Sequence, residues 1–210
     1  MSTEVNKKMT YARLSNSGLK VSRLILGLLS YGNKQWNEWL LDEEEGIKHI
    51  KAAYDAGIQT FDTANQLKLP RDEIVVMAKL YGVVAREPGG LLRITDSDLS
   101  ESDAEGYVNQ YGLSRKHIFE SVKHSLERLQ LDYVDVLQCH RFDHQTPIAE
   151  TMQALHDVVK ASYARYIGMS SCHAYQFHAM QNYAIANKLT PPLSPCKTSI
   201  IWSIGKGRGK

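Results

Sequence analysis

Short apolar runs alternate with amphipathic stretches along most of the chain. Tyr11-Ala12-Arg13-Leu14, the turn Ser15-Asn16-Ser17-Gly18 and Leu19-Lys20-Val21 read as a β-hairpin. Leu24-Ile25-Leu26-Gly27-Leu28 follows as an apolar run of strand length without alternation, the mark of a strand buried on both faces. Asp42 with Glu45 has the spacing of a capping box, so a helix is predicted to start there. Its apolar face is Ile47, Ile50, Ala53 and Tyr54, and Gly57 is placed to end it. Thr60 to Asp62 and Ile74 to Lys79 are predicted strands, and Ser114 is the predicted cap of a helix with Ile118, Val122, Leu126 and Leu129 on one face. A strand over Tyr133 to His140, a helix starting at Thr146-Pro147 and running through Met152, Leu155 and Val159, a strand over Tyr166 to Met169 and a helix over Tyr175 to Lys188 complete the series.

Strands that alternate with helices and carry continuous apolar runs indicate a parallel α/β fold. A doubly wound sheet would place a Gly-rich turn after the first strand. Here Gly27 is followed by Leu28, Leu29, Ser30, Tyr31 and Gly32, so that fingerprint is absent and a barrel is the better expectation. The stretch from Tyr81 to Gly112 has no periodicity and carries Asp96, Asp98, Glu101, Asp103 and Glu105, which marks a long acidic loop.

The net charge of +2 selects no class of partner, but the charge is uneven. Asp157 is the last acidic residue, and every later charge is Lys or Arg. A basic arm and the loss of a balancing acidic segment both account for this, and the low basic count favours the second. Neither nucleic acid nor a membrane surface is expected as a partner. Cys139, Cys172 and Cys196 are odd in number and form no CxxC, which suits free thiols in a reducing compartment. Met1 to Thr10 is polar, and no run approaches membrane-spanning length, so a cytoplasmic location is expected. No metal is expected.

Barrel active sites collect at the C-terminal ends of the strands. Those ends supply Asp62, Lys79, His140 and the pair Ser170-Ser171. A carboxylate beside a half-buried lysine keeps the ammonium charged, and that charge can stabilise a developing alkoxide. A neutral histidine can orient a carbonyl by hydrogen bonding. An obvious proton donor is missing from the set.

Several segments together resemble the aldo-keto reductase superfamily, most closely its fungal aryl-alcohol-dehydrogenase-like branch. They are the hairpin with R-L-S-N-S-G-L-K-V-S, L-I-L-G, F-D-T-A-N at 61–65, I-V-V-M-A-K at 74–79, G-L-S-R-K-H-I at 112–118, S-L-E-R-L-Q-L-D-Y-V-D-V-L-Q-C-H at 125–140 and R-Y-I-G-M-S-S at 165–171. The resemblance implies a (β/α)8 TIM barrel and hydride transfer from NADPH to an aldehyde or ketone. It implies catalytic roles for Asp62, Lys79 and His140. It implies cofactor contacts from Asp62 and from Ser170 and Ser171, the latter pair holding the nicotinamide carboxamide.

The sequence departs from that pattern in two places. The family's catalytic tyrosine follows its aspartate by five residues, and position 67 here is leucine. No Gly or Ser-Glu opens a helix afterwards, and only Asn65 to Glu73, nine residues, precede the next strand. A helical crossover needs about 10–12 residues or more, so the second barrel helix is expected to be missing and apolar strand residues to meet water there. After Pro191 the family's pattern gives way to a Pro-rich, then Gly- and Lys-rich tail. The expected organisation is a disordered segment 1–10, a partial barrel of about five to six of eight strands over 11–190, and an unrelated tail over 191–210. The expected function is NADP-dependent reduction of carbonyl compounds, impaired by these losses. The alternative is an inactive fragment or an association module for full-length relatives.

Overall fold

The computed structural model describes residues 9–28, 30–31, 40–62, 70–86 and 102–193. The segment containing Leu67, most of the acidic loop (87–101), residues 1–8 and the tail 194–210 lie outside the described residues.

Two short strands, β1 (Tyr11–Arg13) and β2 (Lys20–Ser22), pair antiparallel as the predicted hairpin. The rest is α/β. In chain order it comprises β3 (Leu26–Gly27), α1 (Glu43–Asp55), β4 (Thr60–Asp62), β5 (Val75–Leu80), α2 (Arg115–Leu129), β6 (Val134–Arg141), α3 (Ile148–Lys160), β7 (Ala164–Ser171) and α4 (Ala174–Ala186). The five strands β3 to β7 form one parallel sheet whose spatial order is their chain order. A sheet wound in a single direction is what the barrel expectation requires, whereas a doubly wound sheet reverses direction at its switch point. Leu193 forms one further parallel bridge beside Gly168, its N–H donating to the Ile167 carbonyl at 2.7 Å, so the chain after α4 returns to the free edge of β7.

The helix ends follow from local chemistry. Asp42 Oδ1 accepts from the Glu45 N–H at the start of α1, as its spacing predicts. Ser114 Oγ does the same for His117 at α2. Gly57, at φ +95°, provides the left-handed exit after α1. The predicted face of α2 is buried throughout at Ile118, Val122, Leu126 and Leu129.

Several boundaries differ from the sequence reading. β5 and β6 each start one residue later than expected and extend one further, and β7 extends to Ala164 and Ser171 because its pairing with β6 runs the full length of both strands. β3 shrinks to two residues because β4 offers it only Phe61 and Asp62 as partners. On α1, Ile47 is 49% exposed, whereas Gly46 and Ile50 are buried. Gly46 lies against the Tyr31 ring, so the contact face is set by a small residue that admits an aromatic.

Apolar residues fall on both sides of the sheet. On the helical side Phe61, Val76, Leu137 and Ile167 join Ile50, Ile118, Met152 and Leu155 in one cluster. On the other side Val75, Met77 and Val136 pack with Leu14 and Val21 of the hairpin. The exposure expected between β4 and β5 is not seen at Phe61 or Val76, which are 0% and 1% exposed. Both share a cluster with residues of α1 and α2, which flank that position.

Candidate active site

Alternation along the strands decides which residues share the inner face. The register places Asp62 level with Met77, Val136 and Tyr166, and Lys79 level with Gln138 and Gly168. His140 and Ser170 follow two residues beyond Gln138 and Gly168, on the same face. Four of the five sequence-predicted positions therefore converge near the C-terminal ends of β4, β5, β6 and β7. Ser171 pairs in register with Arg141 and falls on the opposite side of the pleat, at the rim.

The Lys79 ammonium donates to Asp62 Oδ2, and the two side chains are 20% and 14% exposed. The pair fixes the ammonium on the inner face of the strands. His140 is pushed down to about 4, first by burial, then by the Lys79 ammonium and the Arg141 guanidinium, with the Asp62 carboxylate opposing. Its imidazole is therefore neutral at physiological pH. A fixed cation and a neutral imidazole donor on one face form a site for oxygen that gains negative charge.

Gln138 was not singled out from the sequence, although it stands two residues before His140 and the strand period puts both on one face. It is 7% exposed and packs beside Gly168, where an added Cβ would make only ordinary contact with Gln138 Cγ at 3.5 Å. Asp143 was also missed. Its carboxylate accepts from the N–H groups of Leu113 at 2.7 Å, Gln145 at 2.8 Å and Thr146 at 3.3 Å, and from the Thr146 hydroxyl at 2.7 Å. This fastens the loop after β6 to the end of the loop that follows β5. Gly112, at φ +83°, permits the approach, because a Cβ there would meet Asp143 Oδ2 at 2.8 Å.

Two tyrosines could in principle replace the proton donor that position 67 lacks, and neither is presented for that role. Tyr31 packs on α1 with its hydroxyl 3.5 Å from His49 Nδ1. Tyr81 is 3% exposed and belongs to the cluster on the helical side of the sheet. The hydroxyls of Ser170 and Ser171 make no protein hydrogen bond among the described residues. Among the described residues no helix is long and apolar enough to cross a membrane, and no cluster of metal-binding side chains occurs.

Comparison with known proteins identifies the family. The aldo/keto reductase family model matches residues 23–194. The aldo-keto reductase dtxS3 of Metarhizium robertsii is 42% identical over 207 residues, covering 89% of this chain and 55% of that protein. The versiconal hemiacetal acetate reductase of Aspergillus parasiticus is 43% identical over 195 residues, covering 85% and 56%. A Schizosaccharomyces pombe protein bearing an aryl-alcohol dehydrogenase name is 46% identical over 197 residues, covering 83% and 55%. The chain thus spans about half the length of the curated relatives it matches. The chain therefore belongs to the aldo/keto reductase family, in its fungal aryl-alcohol-dehydrogenase-like branch.

Proposed function

We propose that this chain carries an NADP(H)-linked oxidoreductase site for aldehydes and ketones, slowed by the leucine at position 67. The observation that carries the reading is the Asp62–Lys79 ion pair on the same face as a neutral His140. His140 donates to the carbonyl oxygen and orients it. The Lys79 ammonium, held in place by Asp62, stabilises the charge that develops on that oxygen. Ser170 and Ser171 hold the carboxamide, and the bound dinucleotide supplies the hydride. Leu67 occupies the position of the relatives' proton-donating tyrosine, so the proton comes from water and the rate falls. Loss of a positioned acid costs roughly 100- to 10,000-fold.

The test is NADPH binding by fluorescence, followed by NADPH oxidation in the presence of benzaldehyde. Saturable binding with slow turnover that Lys79→Met abolishes supports the reading. Failure of the folded chain to bind NADPH overturns it and favours a second one, an inactive form that acts by associating with full-length relatives. The observation favouring that form is again Leu67, which stands where the family's pattern has its acid. Co-purification with a full-length relative, and turnover of that relative with and without this chain, then decide the second reading.

A further inference from the structure

At the rim beside His140, the residues that follow β6 and β7 enclose a recess of about 370 Å3, lined by Arg141, Phe142, His144, Ser171, His173 and Gln176 among others. Three of these side chains are basic and none is acidic. Arg141 Nε is buried and has no hydrogen-bond partner, and no carboxylate pairs with the guanidinium among the described residues. The nearby Asp143 is fully engaged with Leu113, Gln145 and Thr146. The covered Nε is out of a ligand's reach, but Arg141 lines the recess without a carboxylate partner among the described residues, and a planar fork of donors matches a carboxylate or phosphate. Gln176 fixes the opposite wall. Its Oε1 accepts from the His173 N–H at 2.8 Å, and its Nε2 lies 3.4 Å from His144 Nε2. One wall is aromatic, with the Phe142 and His144 rings edge to face at 5.0 Å between centroids.

We propose that this recess binds the oxyanion of a small organic ligand, a carboxylate or phosphate, with Arg141 as its main partner and Phe142 against its apolar part. Arg141 alternates with His140 and falls on the other side of the pleat, so this recess is separate from the carbonyl site and can bind its ligand whether or not the reading above holds.

The experiment is calorimetric titration of the full chain with benzoate, acetate and inorganic phosphate. Binding is compared across wild type, Arg141→Gln, Arg141→Lys and Lys79→Met, each verified as folded by circular dichroism. The expected result is saturable benzoate binding, tighter than acetate or phosphate. It should weaken at least about tenfold in Arg141→Gln, recover in part in Arg141→Lys and remain in Lys79→Met. Benzoate binding that Arg141→Gln leaves unchanged, or no binding to the folded chain, overturns the proposal. Equal displacement of benzoate by inorganic phosphate overturns the assignment to an organic ligand. NADPH binding in the same preparation separates the two readings, because either can fail while the other holds.

Discussion

Acid should unfold this protein through a histidine that takes no part in the proposed chemistry. His117 is 7% exposed in the first turn of α2, and its Nε2 is buried without a partner among the described residues. Burial pushes its imidazole down to about 4, with His124 and Lys116 acting in the same direction and Asp143 against them. The unfolded chain takes up this proton near 6.5 and the folded chain resists it. The stability it contributes is therefore present above the unfolded value and is lost as pH falls from there toward 4. Between about pH 7.5 and about pH 5 the loss is about 2 kcal/mol from this one group. Replacement by phenylalanine removes the titration and leaves a ring in the same place. Any packing change is common to both pH values and cancels. Urea unfolding followed by circular dichroism, on wild type and His117→Phe at both pH values, gives four free energies. The wild type should lose about 2 kcal/mol more than the variant over this interval. His140 titrates in both proteins, so its contribution drops out. Equal losses in the two proteins would refute the claim that His117 is held neutral by burial.

Two further perturbations test other parts of the frame. Asp143→Ala leaves the buried Leu113 N–H without its acceptor and frees the loop after β6. It should cost about 2–3 kcal/mol in chemical denaturation, and a loss below about half of that would mean the loops are held by other contacts. The Tyr133 ring lies between two guanidinium groups, with Arg71 at 4.1 Å and Arg165 at 3.9 Å from its centroid. Tyr133→Leu should therefore lower stability by about 1–2 kcal/mol, and Tyr133→Phe by much less, because the ring rather than the hydroxyl faces the cations.

The parts of the fold that sequence reveals are those encoded by repetition. Alternation along β5 and β6 sorts Val75, Met77 and Lys79 from Val76, Ala78 and Leu80, and Val136, Gln138 and His140 from Leu137 and Cys139. The same period carries the candidate site, since Lys79 ends an otherwise apolar inner row and His140 follows Gln138 at the end of the next. Errors arise where a contact depends on what a residue lacks or on a distant partner. Ile47 looks like a core residue by spacing, yet α1 approaches through Gly46, whose missing Cβ admits Tyr31. No hydrophobic pattern marks a glycine as a contact face. Asp143 reads as a turn residue after β6, and its partner Leu113 lies 30 positions away.

Arg141 is the most instructive case, because the residue before it draws attention to itself. His140 ends the inner row, and a reading by strand period stops there. Arg141 is outer by the same period, but the strand ends with it, so its side chain belongs to the rim as well as to the sheet. Whether it has an acidic partner is a tertiary fact that no spacing encodes. Once the fold places Asp143 under Leu113, no other carboxylate meets Arg141 among the described residues, and its guanidinium is open to an anion. The two sites then differ in kind. Asp62 already neutralises Lys79, which fits a group that acts on a neutral carbonyl. Among the described residues Arg141 has no such counter-charge, which fits a group that takes a charged ligand on the other side of the pleat from the neutral carbonyl.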